Sequence, residues 1–141
     1  MKLEMIKHKN QAREFFKKHK SVLCPAFSGE KVTFTSKGFN HLFYEGPMKA
    51  RPAKEAESRI LLLPRALKVL RKLTFWQEER KIQHKGKIIH YWSLEAVVDG
   101  RRIKVIVRQK GTGQKCFWSV IPSWRKIDGK IVNSRSDLSK N

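Results

Sequence analysis

The sequence predicts an α+β domain in which N-terminal helices pack on a four-stranded antiparallel β-meander. Up to residue 73, apolar side chains recur mainly at the three- and four-residue spacing of one helix face. Beyond it, β-branched and aromatic runs alternate with short glycine turns, as in successive hairpins. Helices followed by strands give segregated layers rather than alternating βαβ units. Of the 141 residues 40% are apolar, with eight Phe and four Trp, which is enough for one core and rules out a wholly disordered chain.

Residues 3–19 read as a helix, with Ile6, Ala12, Phe15 and Phe16 forming an apolar stripe among lysines. Residues 21–29 contain Pro25 and Gly29 and read as a connector. Residues 31–35 alternate and give a short strand, after which Ser36 is the expected N-cap of a helix over 37–44. Ala56, Ile60, Leu63, Leu67 and Leu70 keep helical spacing through 53–73, and Pro64 splits that run in two. Four strands follow, over 74–82, 87–98, 101–110 and 115–123. Residues 1–125 thus form one domain, and 126–141 a polar tail that frays.

The Asp99-Gly100 turn sets a register, because a type I′ turn needs positive φ at both positions. Val98 then pairs with Arg101, Ala96 with Ile103, Leu94 with Val105 and Trp92 with Val107, which makes that face the core. The other face carries Tyr91, Ser93, Glu95 and Val97 beside Arg108, Ile106, Lys104 and Arg102, with Glu95 opposite Lys104. A four-residue loop over 111–114 pairs Arg108 with Phe117 and Ile106 with Ser119; a one-residue shift there turns Ser119 inward and Trp118 outward.

Lys and Arg number 32 against 12 Asp and Glu, a net charge of +20 that points to a polyanionic partner. With the aromatic content this indicates nucleic acid, RNA above all. No segment approaches the ~20 apolar residues of a membrane span, and no amphipathic basic helix stands alone as an anchor. The first residues lack the apolar stretch of a signal peptide, and Cys24 and Cys116 lie far apart. A reducing cytoplasm is therefore expected, either the cell's own or that of a target cell.

His41 is the first candidate for proton transfer, preceded by Thr33, Thr35, Ser36 and Lys37. Cleavage by 2′-hydroxyl attack needs a base, an acid and cations around the phosphorane. His90 falls on the core side of its strand and reads as structural. Neither the histidines nor the scattered carboxylates have metal-ligand spacing, and phosphate-loop and dinucleotide fingerprints are lacking, so neither metal nor cofactor is expected.

Three stretches carry a family resemblance: Val32-Thr33-Phe34-Thr35-Ser36-Lys37-Gly38-Phe39-Asn40-His41; Glu57-Ser58-Arg59-Ile60-Leu61-Leu62-Leu63-Pro64; and 102–108 leading to Phe117-Trp118-Ser119-Val120. Over about residues 30–123 the chain resembles the metal-independent ribonucleases of the BECR fold, which unites barnase, EndoU, the tRNA-cutting colicins and RelE. The resemblance implies RNA cleavage through a 2′,3′-cyclic phosphate, on tRNA or ribosome-bound mRNA. It also implies a toxin-like role and an acidic antitoxin or immunity partner. Carried onto this chain, the catalytic positions are His41, Lys37, Arg59, Arg108 and Ser119. Arg102 also matches the family's sheet cations, and the expected RNA-binding set is Arg102 with Lys104, Tyr91 and Phe117 from the open sheet face, and Arg51. The sequence departs from the family in having neither a carboxylate placed like barnase's base nor a second histidine on the ligand face. A non-catalytic RNA-binding protein using the same face is the alternative; a DNA-binding regulator is a third, although no recognition helix is evident.

Overall fold

The computed structural model describes residues 2–46, 49–123, 125–127 and 130–132. Helix α1 (Lys2–His19) leads into strand β1 (Ser21–Cys24), a 3-10 turn (Pro25–Phe27) and strand β2 (Glu30–Thr33). Helix α2 (Ser36–Phe43) is followed by the short strands β3 (Tyr44–Gly46) and β4 (Lys49–Ala50) and by helices α3 (Ala53–Leu61) and α4 (Leu63–Lys72). The second half is strands β5 (Glu78–His84), β6 (Lys87–Val98), β7 (Arg101–Lys110) and β8 (Lys115–Pro122), then β9 (Arg125–Ile127) and β10 (Lys130–Val132).

The fold is α+β, with four helices and a mixed six-stranded sheet in the order β1-β2-β8-β7-β6-β5. The expected meander is the β5–β8 part of it. The expectation of a four-stranded sheet is corrected by β1 and by β2, the short strand expected over 31–35, which extend it beyond β8. Ser21–Cys24 buries Val22 and Cys24 and exposes the residues between, an alternation too short to stand out beside Pro25. Strand β2 joins β8 in parallel through Val32–Lys115 and Thr33–Cys116. The polar tail expected over 126–141 contains the pair β9–β10; residues 133–141 lie outside the described ones.

Local chemistry explains the remaining boundaries. Thr35, rather than Ser36, caps α2, its hydroxyl accepting from Gly38 N at 3.4 Å. The break between α3 and α4 falls at Leu62, just before Pro64. Strand β5 begins later than expected because the Gln77 side-chain amide takes up ladder bonds with Glu95 N and O. Asp99 (φ 49°) and Gly100 (φ 76°) form the predicted turn, and the β6–β7 register is the predicted one.

The core lies between the helices and one sheet face, around Ile60, Leu63, Leu70, Leu94, Ile103 and Phe117. Phe16, Phe34, Phe39 and Phe117 meet at ring distances of 5.2–6.0 Å and tie α1, the β2–α2 link and α2 to β8. Ile106 pairs with Ser119 as expected, but Val107 pairs with Phe117 and Arg108 with Cys116. The turn end of β7–β8 is thus shifted by one residue, and a bulge at Trp118 absorbs the difference.

Gly38 sits directly on that bulge: a methyl group there would run into the carbonyl oxygen of Phe117. Helix propensity alone favours alanine over glycine by ~1 kcal/mol. The clash reverses the sign, so Gly38→Ala should lose about 2–4 kcal/mol in urea unfolding. A gain in stability would show that α2 does not press on β8.

Candidate nucleic-acid interface

Strand β2 covers only the first part of the β8 edge. Past Cys116 the helices α2 and α3 take its place; they bring His41 and Arg59 to the rim of the outer sheet face, and the segment leading into α3 brings Arg51. The bulge at Trp118 sends the indole out to meet them. His41 stacks on Trp118 with centroids 4.5 Å apart and planes 23° from parallel.

Trp118 is the meeting point of three adjoining hollows. One of about 440 Å³ is lined by His41, Glu78, Arg80, Tyr91, Lys104 and Trp118, among others. A second, of about 460 Å³, shares His41, Tyr91 and Trp118 and extends to Lys37 and Asn40. The third, of about 290 Å³, lies between Lys37, Arg108 and Lys110. Together they form a groove across the outer face with aromatic rings in its floor and cations along its length.

The rings and cations are paired. The Arg108 guanidinium lies 4.5 Å from the Trp118 ring centre, and its Nε donates to the Tyr91 hydroxyl oxygen at 3.2 Å. Arg80 covers Tyr91 at 5.6 Å. Lys104 faces Glu78 at 3.8 Å.

Behind His41 lies a second layer. Arg51, 9% exposed, donates from Nε to the His41 carbonyl at 2.9 Å and from Nη1 to Glu55 Oε1 at 2.9 Å. Its Nη2 lies 3.0 Å from His41 Nε2. Arg59 donates from Nη2 to the same Glu55 oxygen at 3.3 Å and from Nη1 to the Ser119 hydroxyl oxygen. Its buried Nε has no partner among the described residues. Burial and the neighbouring Arg51 hold the Arg59 guanidinium below its ordinary pKa, with Glu55 opposing them.

A guanidinium only donates, so His41 Nε2 must accept and the ring proton must sit on Nδ1. Burial, then Arg51, Arg59 and Arg108, push the His41 pKa down to about 4. His41 is therefore a neutral donor at physiological pH, and it has no second proton to give there.

The sequence-predicted residues divide accordingly. His41, Lys37, Arg108, Tyr91 and Lys104 border the groove. Phe117 does not: the shifted register turns it into the core, where it is fully buried. Ser119 holds its expected register but is 2% exposed beneath Arg59. Arg51 and Arg59 support His41 and Ser119 from behind rather than facing solvent. Arg102 engages the Glu95 carboxylate at 3.3 Å, which draws Glu95 away from its opposite neighbour Lys104. His90 stacks on Trp92 on the core side, in line with its structural reading.

Sequence reasoning passed over Arg80, Glu78 and Glu55. The two-residue Lys85-Gly86 turn pairs His84 with Lys87, and counting back from it places Arg80 opposite Tyr91. Glu55 is four residues from both Arg51 and Arg59; the spacing to Arg59 is legible on a helix, whereas Arg51 precedes α3.

Among the described residues, no three His, Cys, Asp or Glu side chains gather as a metal set, and no helix is long and apolar enough to cross a membrane. No protein-family model, curated protein or solved structure matches this chain.

The depressed pKa links His41 to stability. As pH falls, the unfolded chain takes up the proton near 6.5 and the folded one only near 4, so stability is lost between these values and levels off below. With solvent screening of a half-buried ring, the loss should be about 1–2 kcal/mol. His41→Gln should remove that part of the pH dependence, read as the difference between urea midpoints at pH 7 and pH 4. Equal pH slopes in both proteins would exclude it.

Proposed function

We propose that this protein is a metal-independent endoribonuclease acting in the groove around Trp118. The observation that carries the reading is convergence. His41 from α2, Arg80 from β5, Tyr91 from β6, Lys104 and Arg108 from β7 and Trp118 from β8 meet on one face of a chain of net charge +20. Cations hold a phosphodiester backbone and flat rings hold unstacked bases. This is also the reaction class implied by the resemblance to BECR-fold ribonucleases, and with it a toxin-like action on tRNA or ribosome-bound mRNA in a cytoplasm. An acidic partner covering the groove would silence such an activity.

In the proposed reaction the substrate 2′-oxygen attacks phosphorus and the bond to the 5′-oxygen breaks. The products are a 2′,3′-cyclic phosphate and a 5′-hydroxyl. The Glu78 carboxylate, which borders the same hollow, takes the 2′-hydroxyl proton. The Tyr91 hydroxyl keeps its own proton while its oxygen accepts from Arg108, and passes that proton to the leaving oxygen. Arg108, Lys37 and the Nδ1–H of His41 stabilise the charge on the phosphoryl oxygens.

A second reading, RNA binding without cleavage, is favoured by one observation. His41 Nε2 is already engaged by Arg51, so the histidine that the family resemblance implies as base or acid is not free to play that part.

Incubation with tRNA and with mRNA in EDTA distinguishes the two. Cleavage should yield cyclic-phosphate ends, and Arg108→Ala and Tyr91→Phe should each slow it about 100-fold or more with the fold intact. RNA that is bound but left whole, in EDTA and in Mg²⁺ alike, would establish the second reading. The cleavage rate should also show no inflection near pH 6.5, because His41 does not titrate there. An inflection at that pH which disappears in His41→Gln would contradict the assignment of a neutral ring.

A further inference from the structure

We infer that Arg51, anchored by Glu55, is a positioning residue for His41: its guanidinium fixes one orientation and one tautomer of the ring and leaves Nδ1–H for the groove. The use of that proton in RNA recognition rests on the function proposed above, whereas the lock itself is a property of the free protein.

The geometry is a clamp. One planar guanidinium holds His41 at two points, by Nε on the backbone carbonyl at 2.9 Å and by Nη2 on the ring nitrogen at 3.0 Å. Its remaining edge is tied to Glu55 at 2.9 Å, with Glu45 at 3.7 Å on the same side. Only 6% of the Arg51 side chain is exposed, which leaves the fork little freedom to turn. Trp118 fixes the plane of the ring from the sheet side. A lysine could supply the charge but not two fixed donor directions.

Burial alone does not account for this arrangement. Glu55 and the carbonyl would already give Arg51 a carboxylate and a neutral acceptor. The bond to the ring nitrogen is additional, and it has a cost: a protonated His41 would place a further cation beside Arg51. The charged groups around the ring are Arg51, Arg59 and Arg108, with Glu45 and Glu55 as the carboxylates nearest Arg51. Lys37 precedes His41 by one helical turn and borders the same hollow. In this surrounding, a donor that carries no charge can meet a phosphate oxygen without adding to the repulsion among the cations.

The ring can be read directly by nitrogen NMR of ¹⁵N-labelled protein without RNA. The wild type should show a single tautomer, protonated at Nδ1, from pH 8 to pH 5. Arg51→Met should mix the tautomers and raise the titration midpoint at least one unit towards the ordinary histidine value. Arg51→Lys, which serves also if the methionine variant does not fold, should keep the midpoint low yet lose the single tautomer. An unchanged ring in Arg51→Met, or a lysine variant with the tautomer preserved, would overturn the inference. The two proposals fail separately. A locked ring in a protein that ignores RNA sinks the proposed function alone. Cleavage of RNA by a protein whose ring does not respond to Arg51 sinks the clamp alone.

Discussion

Helix α2 lies against the carbonyl of Phe117, and only the absence of a side chain at Gly38 allows it to come so close. On one side of this contact the Phe117 ring fills the core among Phe16 and Phe34. On the other, the extra residue of the bulge, Trp118, is turned out of the sheet. One helical turn further along α2, His41 arrives above the indole. A bulge re-aims a side chain at the expense of a ladder bond, and here the re-aimed group becomes the floor of the groove. Without the close approach the ring pair would separate, and Arg108 would have no indole to cover.

The same junction concentrates positive charge inside the protein. Arg51 and Arg59 are both largely buried and share a single carboxylate oxygen of Glu55. Glu45 reaches Arg51 only at 3.7 Å and from a more exposed position, so positive charge prevails at the buried end of the cluster. Holding His41 neutral keeps this excess from growing, while Ser119 gives Arg59 a neutral acceptor. The outer cations Arg108, Lys104 and Arg80 lie in front of this layer, so an anion in the groove meets the field of both. The positive field of the groove is thereby built partly from side chains that do not line it.

How much of this could be read in the sequence depended on how local the determinant was. The Asp99-Gly100 turn specified its own hairpin, and the β6–β7 register with its Tyr91–Arg108 face followed from it. Pro64 marked the break between α3 and α4 because a ring without an N–H disrupts a helix interior yet fits a first turn, where it stands in α4. Strand β1 was illegible for the opposite reason. Four residues of alternation carry little signal, and what makes them a strand is pairing with Glu30–Thr33. The bulge at Trp118 depends on helix–sheet contact across the molecule, which turn chemistry does not encode. That single unreadable residue misplaced Phe117 and left Trp118 as only a conditional candidate. Arg51 and Arg59 were recognised as cations of the site, but their depth was not, since burial of a guanidinium is decided by partners such as Glu55 and Ser119 rather than by its neighbours in sequence.

The parallel contact of β2 with β8 also has a consequence in time. Val32 and Thr33 lie in the first quarter of the chain, and their partners Lys115 and Cys116 follow nearly the whole meander. Pairings this distant in sequence form late, because the loop must close before any contact rewards it. The stacked pair of His41 and Trp118 therefore depends on a strand that comes near the end of the sheet's sequence. The pair is thus a late product of the chain, complete only when the last strand of the meander has met both β7 and β2.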